Sequence, residues 1–333
     1  MEKINRYKAL VSEQVNSRFR SSVKMLDSGN LPENDVLIRV HYSSLNYKDA
    51  LSATGNRGIT KNYPHTPGID ASGIVAASDD PRFSKGDQVI VTSYDLGMNT
   101  PGGFAEYIRV PGDWIVPLPA GLNLRESMIL GTAGLTAAIG IKKILDAGIK
   151  PGDGSILVTG ATGGVGSCAV TLLSKLNYQV TAVTGKKDKH NFLTSLGASR
   201  IAGRSEVTDK SNKLLLNSRW KASIETVGGE ILDTVLRQTA HNGVVACCGN
   251  ILGHALHTNV YPFILRGVSL MGIDSGICLM KDRKMIWNLL SSEWKPEKPE
   301  LLAREITLEQ LPEEIETMLQ GKQTGRVIIR LAT

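Results

Sequence analysis

The stretch Ser155-Ile-Leu-Val-Thr-Gly-Ala-Thr-Gly-Gly-Val-Gly-Ser167 determines the fold that we expect for this chain. A short apolar and β-branched run leads into a cluster of glycines, and residues 168–176 follow with the periodicity of a helix. A strand, a glycine turn and a helix are the parts of a dinucleotide-binding βαβ unit. In such a unit the helix amino terminus receives the pyrophosphate of the cofactor.

The glycines of this stretch match the G-x-G-x-x-G template with one exception. Ala161, Gly163 and Gly166 fill the three positions, so that alanine replaces the first glycine. Gly163 lets the backbone approach a pyrophosphate, and Gly166 lets the helix pack closely on the sheet. We therefore expect Gly163, Gly164, Val165 and Gly166 to contact the cofactor.

Composition and charge limit the classes of protein to be considered. The chain has 333 residues, with 41% hydrophobic and 21% charged residues, which is typical of a soluble globular protein of two domains. We find no apolar run near the roughly 20 residues that span a bilayer, and no signal peptide. The net charge of +6 comes from dispersed lysines and arginines. This favours an anionic cofactor or substrate, with no nucleic acid and no membrane as partner.

The pattern of turns and strands changes along the chain. Residues 1–120 predict an all-β barrel or sandwich, and Pro117-Leu-Pro-Ala-Gly121 is a candidate boundary. From residue 124 helices alternate with strands, beginning with a helix at 125–148 that is broken at 131–134. Six strands are expected, at 155–160, 179–184, 200–202, 222–226, 243–249 and 268–273. The last sixty residues predict two helices and two strands that fold back onto the amino-terminal domain.

The end of the second of these strands bears on the choice of cofactor. An NAD site usually has an Asp or Glu there for the ribose 2′-hydroxyl. This chain has Thr184-Gly-Lys-Lys187, which offers a hydroxyl, exposed backbone and positive charge, and no carboxylate. We expect Thr184, Gly185 and Lys186 to bind the 2′-phosphate of NADPH, with Arg200 adding charge. The alternative is an ordinary solvated lysine pair and a solvated arginine at strand ends.

The glycine motif also fits the T-G-x-x-x-G-x-G pattern of short-chain dehydrogenases. Those enzymes carry the motif near the beginning of the chain and a Tyr-x-x-x-Lys pair downstream. Here the motif begins at Thr159, and the downstream tyrosines 178 and 261 are followed four positions later by Ala182 and Leu265. The short-chain hypothesis therefore fails.

Longer strings give a more specific resemblance, and it extends over nearly the whole chain. They are Ser44-Leu-Asn-Tyr-Lys-Asp49, Pro67-Gly-Ile-Asp70, Asp80-Pro-Arg-Phe83, Gly112-Asp-Trp114, Gly131-Thr-Ala-Gly134 and Tyr261-Pro-Phe-Ile-Leu-Arg266. With these the chain resembles the zinc-independent branch of the medium-chain dehydrogenase/reductase superfamily, which contains acryloyl-CoA reductases and NADPH:quinone oxidoreductases.

The resemblance implies a fold and a reaction. The fold is α/β: a GroES-like β-rich catalytic domain at 1–123, completed by 275–333, and a Rossmann NADPH-binding domain at 124–274 with a doubly wound parallel six-strand sheet. The reaction is hydride transfer from NADPH to an activated carbon–carbon double bond, as in an enoyl-CoA such as acryloyl-CoA. Reduction of a quinone is the alternative. Members of this branch often form homodimers.

Zinc is not expected, although alcohol dehydrogenases of the same superfamily use it. A catalytic zinc needs about three protein ligands, usually Cys and His. The amino-terminal domain has no cysteine, because all four lie at 168, 247, 248 and 278. His41 and His65 have no third ligand in the sequence pattern. Cys168 and the Cys247-Cys248 pair lie in apolar stretches, which favours buried reduced thiols in a cytoplasmic protein.

Without a metal, hydrogen-bond donors near the carbonyl oxygen of the substrate carry most of the catalysis. The resemblance places Asn46, Tyr47 and Asp49 in the catalytic position, with Tyr47 also touching the cofactor near the nicotinamide. Tyr47 is our first choice to orient or protonate the substrate. The alternative is that Asn46 and Asp49 only hold a turn and that Tyr47 only packs.

Further cofactor contacts are expected from the resemblance and from the rule that ligands bind at the carboxyl ends of parallel strands. They are Thr132, Gly249, Asn250, Ile264 and Ser275, with Asp274 next to the last. From another class of function, an NADPH-binding sensor or an RNA-binding protein with this fold stays open, although the dispersed basic residues argue against RNA.

Overall fold

A computed structural model describes residues 4–331, and its internal contacts divide the chain into two units. The first unit takes the chain up to Thr132, then Gly276–Ser291 and the chain from Ala303. The second unit takes Ala133–Ser275 and Ser292–Leu302. The division at 132/133 falls inside a helix, nine residues after the boundary that we expect from the sequence.

The strands of the described chain are β1 Arg6–Val15, β2 Arg18–Asp27, β3 Val36–Ser44, β4 Asp70–Ser78, β5 Gln88–Thr92, β6 Tyr107–Val110, β7 Ile115–Pro117, β8 Ile156–Val158, β9 Val180–Val183, β10 Arg200–Ala202, β11 Trp220–Glu225, β12 Thr239–Cys247, β13 Ser269–Gly272, β14 Ala303–Thr307 and β15 Arg326–Arg330. The α-helices are α1 Tyr47–Ala53, α2 Leu124–Asp146, α3 Gly164–Lys175, α4 His190–Ser195, α5 Gly229–Gln238, α6 Tyr261–Arg266, α7 Met280–Ser291 and α8 Leu311–Leu319.

The second unit is built on a parallel six-stranded sheet with the order β10-β9-β8-β11-β12-β13. Every residue of β8 and β9 is buried, as expected for short apolar strands with helices on both faces. The strand order changes direction at β8, and α3 follows that strand directly. The predicted doubly wound parallel sheet is confirmed. In sheets of this kind ligands generally bind at the carboxyl ends of the strands.

The first unit contains a seven-stranded sheet, in which β3 has three partners, and the β1–β2 hairpin. The carboxyl-terminal strand β15 pairs antiparallel with β3, and Ile328 lies opposite Ser44. The strand near the carboxyl terminus is therefore part of the sheet of the first unit, whereas Ser292–Leu302 within the predicted segment 275–333 belongs to the second unit. The prediction that residues 1–120 are all-β is wrong at one place, because α1 forms directly after β3. Its first turn is closed by the backbone N–H of Asn46, which donates to Asp49 Oδ2 at 2.7 Å.

Helix α2 has the break that the sequence predicts. Gly131 has φ +51 and ψ −153, so the helix is kinked there. By length and composition, with a mean hydropathy of 1.5, α2 would also be able to cross a membrane, but 72% of its most apolar window is buried inside the fold. The kink and the burial identify α2 as a core helix.

Candidate active site

The glycine loop joins β8 to α3 and has the geometry of an anion cradle. A Cβ on Gly166 would lie 2.3 Å from the carbonyl oxygen of Gly160, so α3 packs directly on the turn. A Cβ on Gly163 would meet only Gly160 O, at 3.2 Å, and would otherwise occupy open space before the helix. The first N–H groups of α3, from Gly164 and Val165 onward, have no acceptor within the helix and remain for an anion.

At the first position of the glycine template, the structure differs from what the match to the sequence suggests. Gly160, rather than residue 161, has the positive φ of +56 that favours glycine, and a Cβ there would meet Thr226 Oγ1 at 2.4 Å. Ala161 is fully buried, and its N–H donates to Val183 O at 3.1 Å. An alanine is therefore tolerated at the first template position, because the turn itself is made one residue earlier.

A buried carboxylate, which the sequence analysis missed, is hydrogen-bonded to the residue that precedes this loop. Glu225 at the end of β11 accepts hydrogen bonds from Thr159 Oγ1 at 3.0 Å and from the N–H groups of Val227 and Gly228. Burial raises the pKa of Glu225 above its ordinary value. The only signal in the sequence is a single acidic residue at the end of an apolar strand.

The residues that we expect at the 2′-phosphate lie together at the end of β9. Thr184 is buried, and its Oγ1 accepts the N–H of Lys186 at 3.0 Å. The side chain of Arg204 lies over Gly185, since a Cβ on this glycine would be 3.0 Å from Arg204 Nε. Burial, Lys189 and Arg204 lower the pKa of Lys186, while Asp188 acts in the opposite direction. The result is a compact cationic group with an open glycine backbone.

Arg200 does not lie with this group. It begins β10, and its guanidinium pairs with Glu206, which also pairs with Arg219 at 2.6 Å. Both arginines line a pocket of about 560 Å³ at the amino ends of the strands, together with Ser155, Gln179, Thr181, Ser199 and Trp220. The arginine at the carboxyl end of β10 is Arg204, which the sequence analysis missed. The rule that ligands bind at carboxyl ends of strands would have found it.

The other candidates in the second unit follow the last two strands. Gly249 comes after β12, and a Cβ on it would lie 1.8 Å from Thr226 O, so only glycine fits there. Asn250 next to it is exposed. Ser275 follows β13 and shares a hydrogen bond of 2.6 Å with Thr136. Ile264 on α6 is 67% exposed.

In the first unit the candidate residues converge on the carboxylate of Asp70. Thr132 donates to it from its hydroxyl at 2.6 Å and from its N–H at 3.0 and 3.1 Å. Ser44 Oγ donates at 2.6 Å, and Asn46 Nδ2 donates at 2.8 Å. The hydroxyl of Thr132 also lies 2.9 Å from that of Ser93. These bonds join the segment after β3 to the kink of α2.

A buried arginine from β15 completes this group, and the sequence analysis missed it. Arg326 donates to Asn46 Oδ1 at 3.0 Å, to Ser44 Oγ at 2.7 Å and to Leu45 O at 3.1 Å, and lies 3.6 Å from Asp70. Asn46 Nδ2 also donates to Ser44 O at 3.1 Å. The amide of Asn46 is therefore engaged within the chain at both its oxygen and its nitrogen.

The three catalytic candidates differ in how accessible they are. Asp49 is fully buried and accepts from Asn46 N and from Ile69 N at 2.8 Å. Burial, and next the charge of Asp70, raise the pKa of Asp49 to about 7. Tyr47 is 41% exposed, and its hydroxyl makes no hydrogen bond to any residue in the described range 4–331. Of the three, Tyr47 alone presents an accessible functional group.

A metal site does not fit the donors that this chain provides. Within residues 4–331 no three side chains of His, Cys, Asp or Glu are grouped so as to hold an ion. Asp49 and Asp70 use their oxygens for the hydrogen bonds described above, and Arg326 brings a positive charge to the same place. The arrangement suits hydrogen bonding and charge balance.

Two family models match the chain. The Alcohol dehydrogenase GroES-like domain matches residues 32–120, and the Zinc-binding dehydrogenase model matches residues 164–291. The described part of the chain, residues 4–331, groups no donors that would suit the zinc named in the second description. Among curated relatives, "Putative quinone oxidoreductase YhfP" of Bacillus subtilis is 44% identical over 98% of this chain and 99% of that protein. "Acrylyl-CoA reductase AcuI" of Ruegeria pomeroyi is 39% identical over 97% of this chain and 98% of that protein.

Solved structures give the same result. The yhdH oxidoreductase from Salmonella enterica in complex with NADP is 45% identical, with a TM-score of 0.95 over 98% of this chain and 100% of that chain. The Bacillus subtilis protein yhfP with NAD bound is 44% identical, with a TM-score of 0.95 over the same shares. The chain therefore belongs to the medium-chain dehydrogenase/reductase superfamily of oxidoreductases, in the branch of the acrylyl-CoA reductases and their quinone oxidoreductase relatives.

Proposed function

We propose that the protein is an NADPH-dependent reductase that transfers a hydride to the activated C=C bond of an enoyl-CoA such as acryloyl-CoA. The observation that carries this proposal is the 39% identity with an acrylyl-CoA reductase over nearly the full length of both chains. The cationic group at the end of β9 and the glycine loop before α3 support it, because they suit a phosphorylated dinucleotide.

The residues of this chain that would hold NADPH fall into three groups. Gly163, Gly164, Val165 and Gly166 receive the pyrophosphate at the amino terminus of α3. Thr184, Gly185, Lys186 and Arg204 bind the 2′-phosphate, with Arg204 in the role that the sequence suggests for Arg200. Tyr47, Thr132, Gly249, Asn250, Ile264 and Ser275 are the proposed contacts to the rest of the cofactor. When bound, NADPH supplies the hydride.

The accessible hydroxyl of Tyr47 is our candidate for contact with the substrate. A hydroxyl without a partner among the described residues 4–331 can donate to the carbonyl oxygen of a thioester, where negative charge develops during reduction. Protonation of the resulting enolate comes from this hydroxyl or from water. Asn46 and Asp49 are engaged within the chain, and we assign them to holding the turn that carries Tyr47.

Quinone reduction is a second candidate, because the relative YhfP, at 44% identity, is named as a quinone oxidoreductase. Oxidation of NADPH measured side by side with acryloyl-CoA, crotonyl-CoA and a quinone separates the two. We expect turnover with acryloyl-CoA at a kcat/KM well above that for the quinone. Turnover with the quinone alone would replace the enoyl-CoA proposal.

We also propose a cytoplasmic homodimer. The outer edge of β13 has no strand partner among residues 4–331, and Leu270 on this strand is 36% exposed. An open, partly apolar strand edge favours pairing with a second copy. The four cysteines form no disulfide within the described chain, in keeping with a reducing compartment. Sedimentation equilibrium tests the dimer, and Leu270→Lys is expected to yield monomers.

A further inference from the structure

Three charged side chains are buried together in the first unit. Asp49 and Asp70 are 0% exposed, and Arg326 is 1% exposed. The cluster has a net charge of −1 when both carboxylates are ionised, and it is neutral when one of them holds a proton. Burying an uncompensated charge is costly, so the folded protein favours the neutral form of the cluster.

The cluster binds both the nitrogen and the oxygen of the Asn46 side-chain amide. Asp70 accepts from the amide nitrogen at 2.8 Å, and Arg326 donates to the amide oxygen at 3.0 Å. Asp49 accepts the backbone N–H of the same residue at 2.7 Å. The side chain and the backbone of Asn46 are therefore both fixed by buried groups of the cluster.

Asn46 is the residue directly before Tyr47, and Tyr47 is the first residue of α1. The side chain of Tyr47 is exposed, and its hydroxyl makes no hydrogen bond to the protein within residues 4–331. The position of its ring therefore depends on the backbone of this turn. An accurately held turn matters, since a misplacement of about 1 Å costs about 100-fold in rate.

We propose that Arg326, Asp70 and Asp49 are positioning residues that hold the turn carrying Tyr47, and that the turn is held firmly only while the cluster contains one proton. This inference rests on the role of Tyr47 given above. Because burial and Asp70 raise the pKa of Asp49 to about 7, the proton is lost near neutral pH. The turn therefore loosens as the pH rises toward about 7 and does not loosen further above it.

The charged groups that act on this proton are few. Within the described residues 4–331, Asp70 on β4 is the one charged side chain that shifts the pKa of Asp49, and Arg326 on β15 pairs with Asp70. The other elements around α1 contribute apolar side chains to its packing, namely Leu10 and Val23 from the hairpin and Leu311 and Ile315 from α8. The pH response is therefore a property of the cluster itself.

Amide hydrogen exchange of the full chain, followed in peptides covering residues 44–54 and corrected for intrinsic rates, tests the proposal. In the wild type we expect about tenfold faster exchange at pH 8.5 than at pH 6, because pH 6 lies about one pH unit below the pKa of Asp49. Asp49→Asn is expected to remove this pH dependence. Asp70→Asn is expected to move its midpoint down by about one pH unit, since a neighbouring like charge is removed.

Arg326→Gln is expected to speed exchange in 44–54 and to lower kcat about 100-fold, with the KM for NADPH unchanged. Arg326→Lys, which keeps the positive charge, is expected to restore part of the slow exchange and part of kcat. The control is Arg237→Gln, since Arg237 is also a buried arginine paired with two aspartates, 209 and 233, in the second unit. It should leave exchange in 44–54 unchanged.

The proposal is overturned if the corrected exchange rate in 44–54 does not depend on pH in the wild type. It is also overturned if the pH dependence persists in Asp49→Asn. This comparison decides the matter even if Arg326→Gln does not fold. If exchange responds as expected while Tyr47→Phe keeps full kcat, the positioning cluster stands and the role of Tyr47 in the proposed function fails.

Discussion

The carbonyl oxygen of Gly160 lies where a methyl group on residue 166 would have to be, at 2.3 Å from the ideal Cβ position. The backbone of Gly160 is held by the turn after β8, and the backbone of Gly166 is held by α3. Gly166→Ala therefore forces α3 away from the turn. We expect a loss of about 1–3 kcal/mol in the free energy of unfolding, together with weaker NADPH binding. Chemical denaturation and a fluorescence titration of NADPH measure the two effects.

Gly163→Ala provides the matched comparison, because its methyl group would meet a single atom, Gly160 O at 3.2 Å, a contact that a small shift relieves. We expect the free energy of unfolding to stay within about 0.5 kcal/mol of the wild type, while the Kd for NADPH rises. If Gly163→Ala binds NADPH as the wild type does, the pyrophosphate does not lie at this loop.

The cationic group at the end of β9 is expected to select NADPH over NADH. Arg204→Ala removes a charge-assisted hydrogen bond, and we expect the Kd for NADPH to rise about 10- to 100-fold with little change for NADH. Isothermal titration with both cofactors measures this. Arg200→Ala is the control, because Arg200 pairs with Glu206 at the other end of β10. A larger effect for Arg200→Ala would reverse the assignment.

Tyr47→Phe tests the accessible hydroxyl. Loss of a proton donor or hydrogen-bond donor is expected to lower kcat with acryloyl-CoA about 100-fold or more, and to leave the Kd for NADPH nearly unchanged. Tyr178→Phe is a suitable control, since the hydroxyl of Tyr178 donates to Ile149 O at 2.7 Å in the second unit. That variant should lose about 1 kcal/mol of stability and no activity. An unchanged kcat/KM in Tyr47→Phe would exclude the donor role.

The buried proton on Asp49 also predicts how stability depends on pH. Its pKa is about 7 in the folded protein and near 3.8 when unfolded, so the folded state binds more protons between these values. The contribution of Asp49 to the free energy of unfolding therefore falls as pH rises from about 4 to about 7, by up to about 1.4 kcal/mol per pH unit, and is constant above. Subtracting the unfolding curves of Asp49→Asn from those of the wild type isolates this slope. A difference that is flat with pH would mean that Asp49 is ionised throughout.

The parallel sheet and its glycine loop could be predicted because their signals are local. Apolar runs of three to six residues followed by glycines define the strands, and Gly131 marks the break in α2 because its φ of +51 suits glycine. The hairpin of β1 and β2 has such a signal too, which was missed. Its turn is Asn16-Ser17, with φ values of 49 and 65, and asparagine tolerates that conformation.

The charged cluster could not be predicted in this way. Arg326 meets Asn46 across 280 residues of sequence, and no local pattern encodes that contact. The choice between Arg200 and Arg204 depends on which end of a three-residue strand faces the ligand, a distinction finer than a strand boundary read from sequence. Helix α1 has only seven residues, and a reciprocal bond between Asn46 and Asp49 begins it, so hydrophobic periodicity gave no sign of it.

The 280 residues that separate Asn46 from Arg326 also set an order of events during synthesis. At translation rates of roughly 5–20 residues per second, the two aspartates are made roughly 13 to 55 seconds before the guanidinium that balances them. All six strands of the parallel sheet lie within 156–272 and are complete earlier. The parallel sheet can therefore form before β15 has been made, whereas the hydrogen bonds from Arg326 to the segment before Tyr47 can form only afterwards.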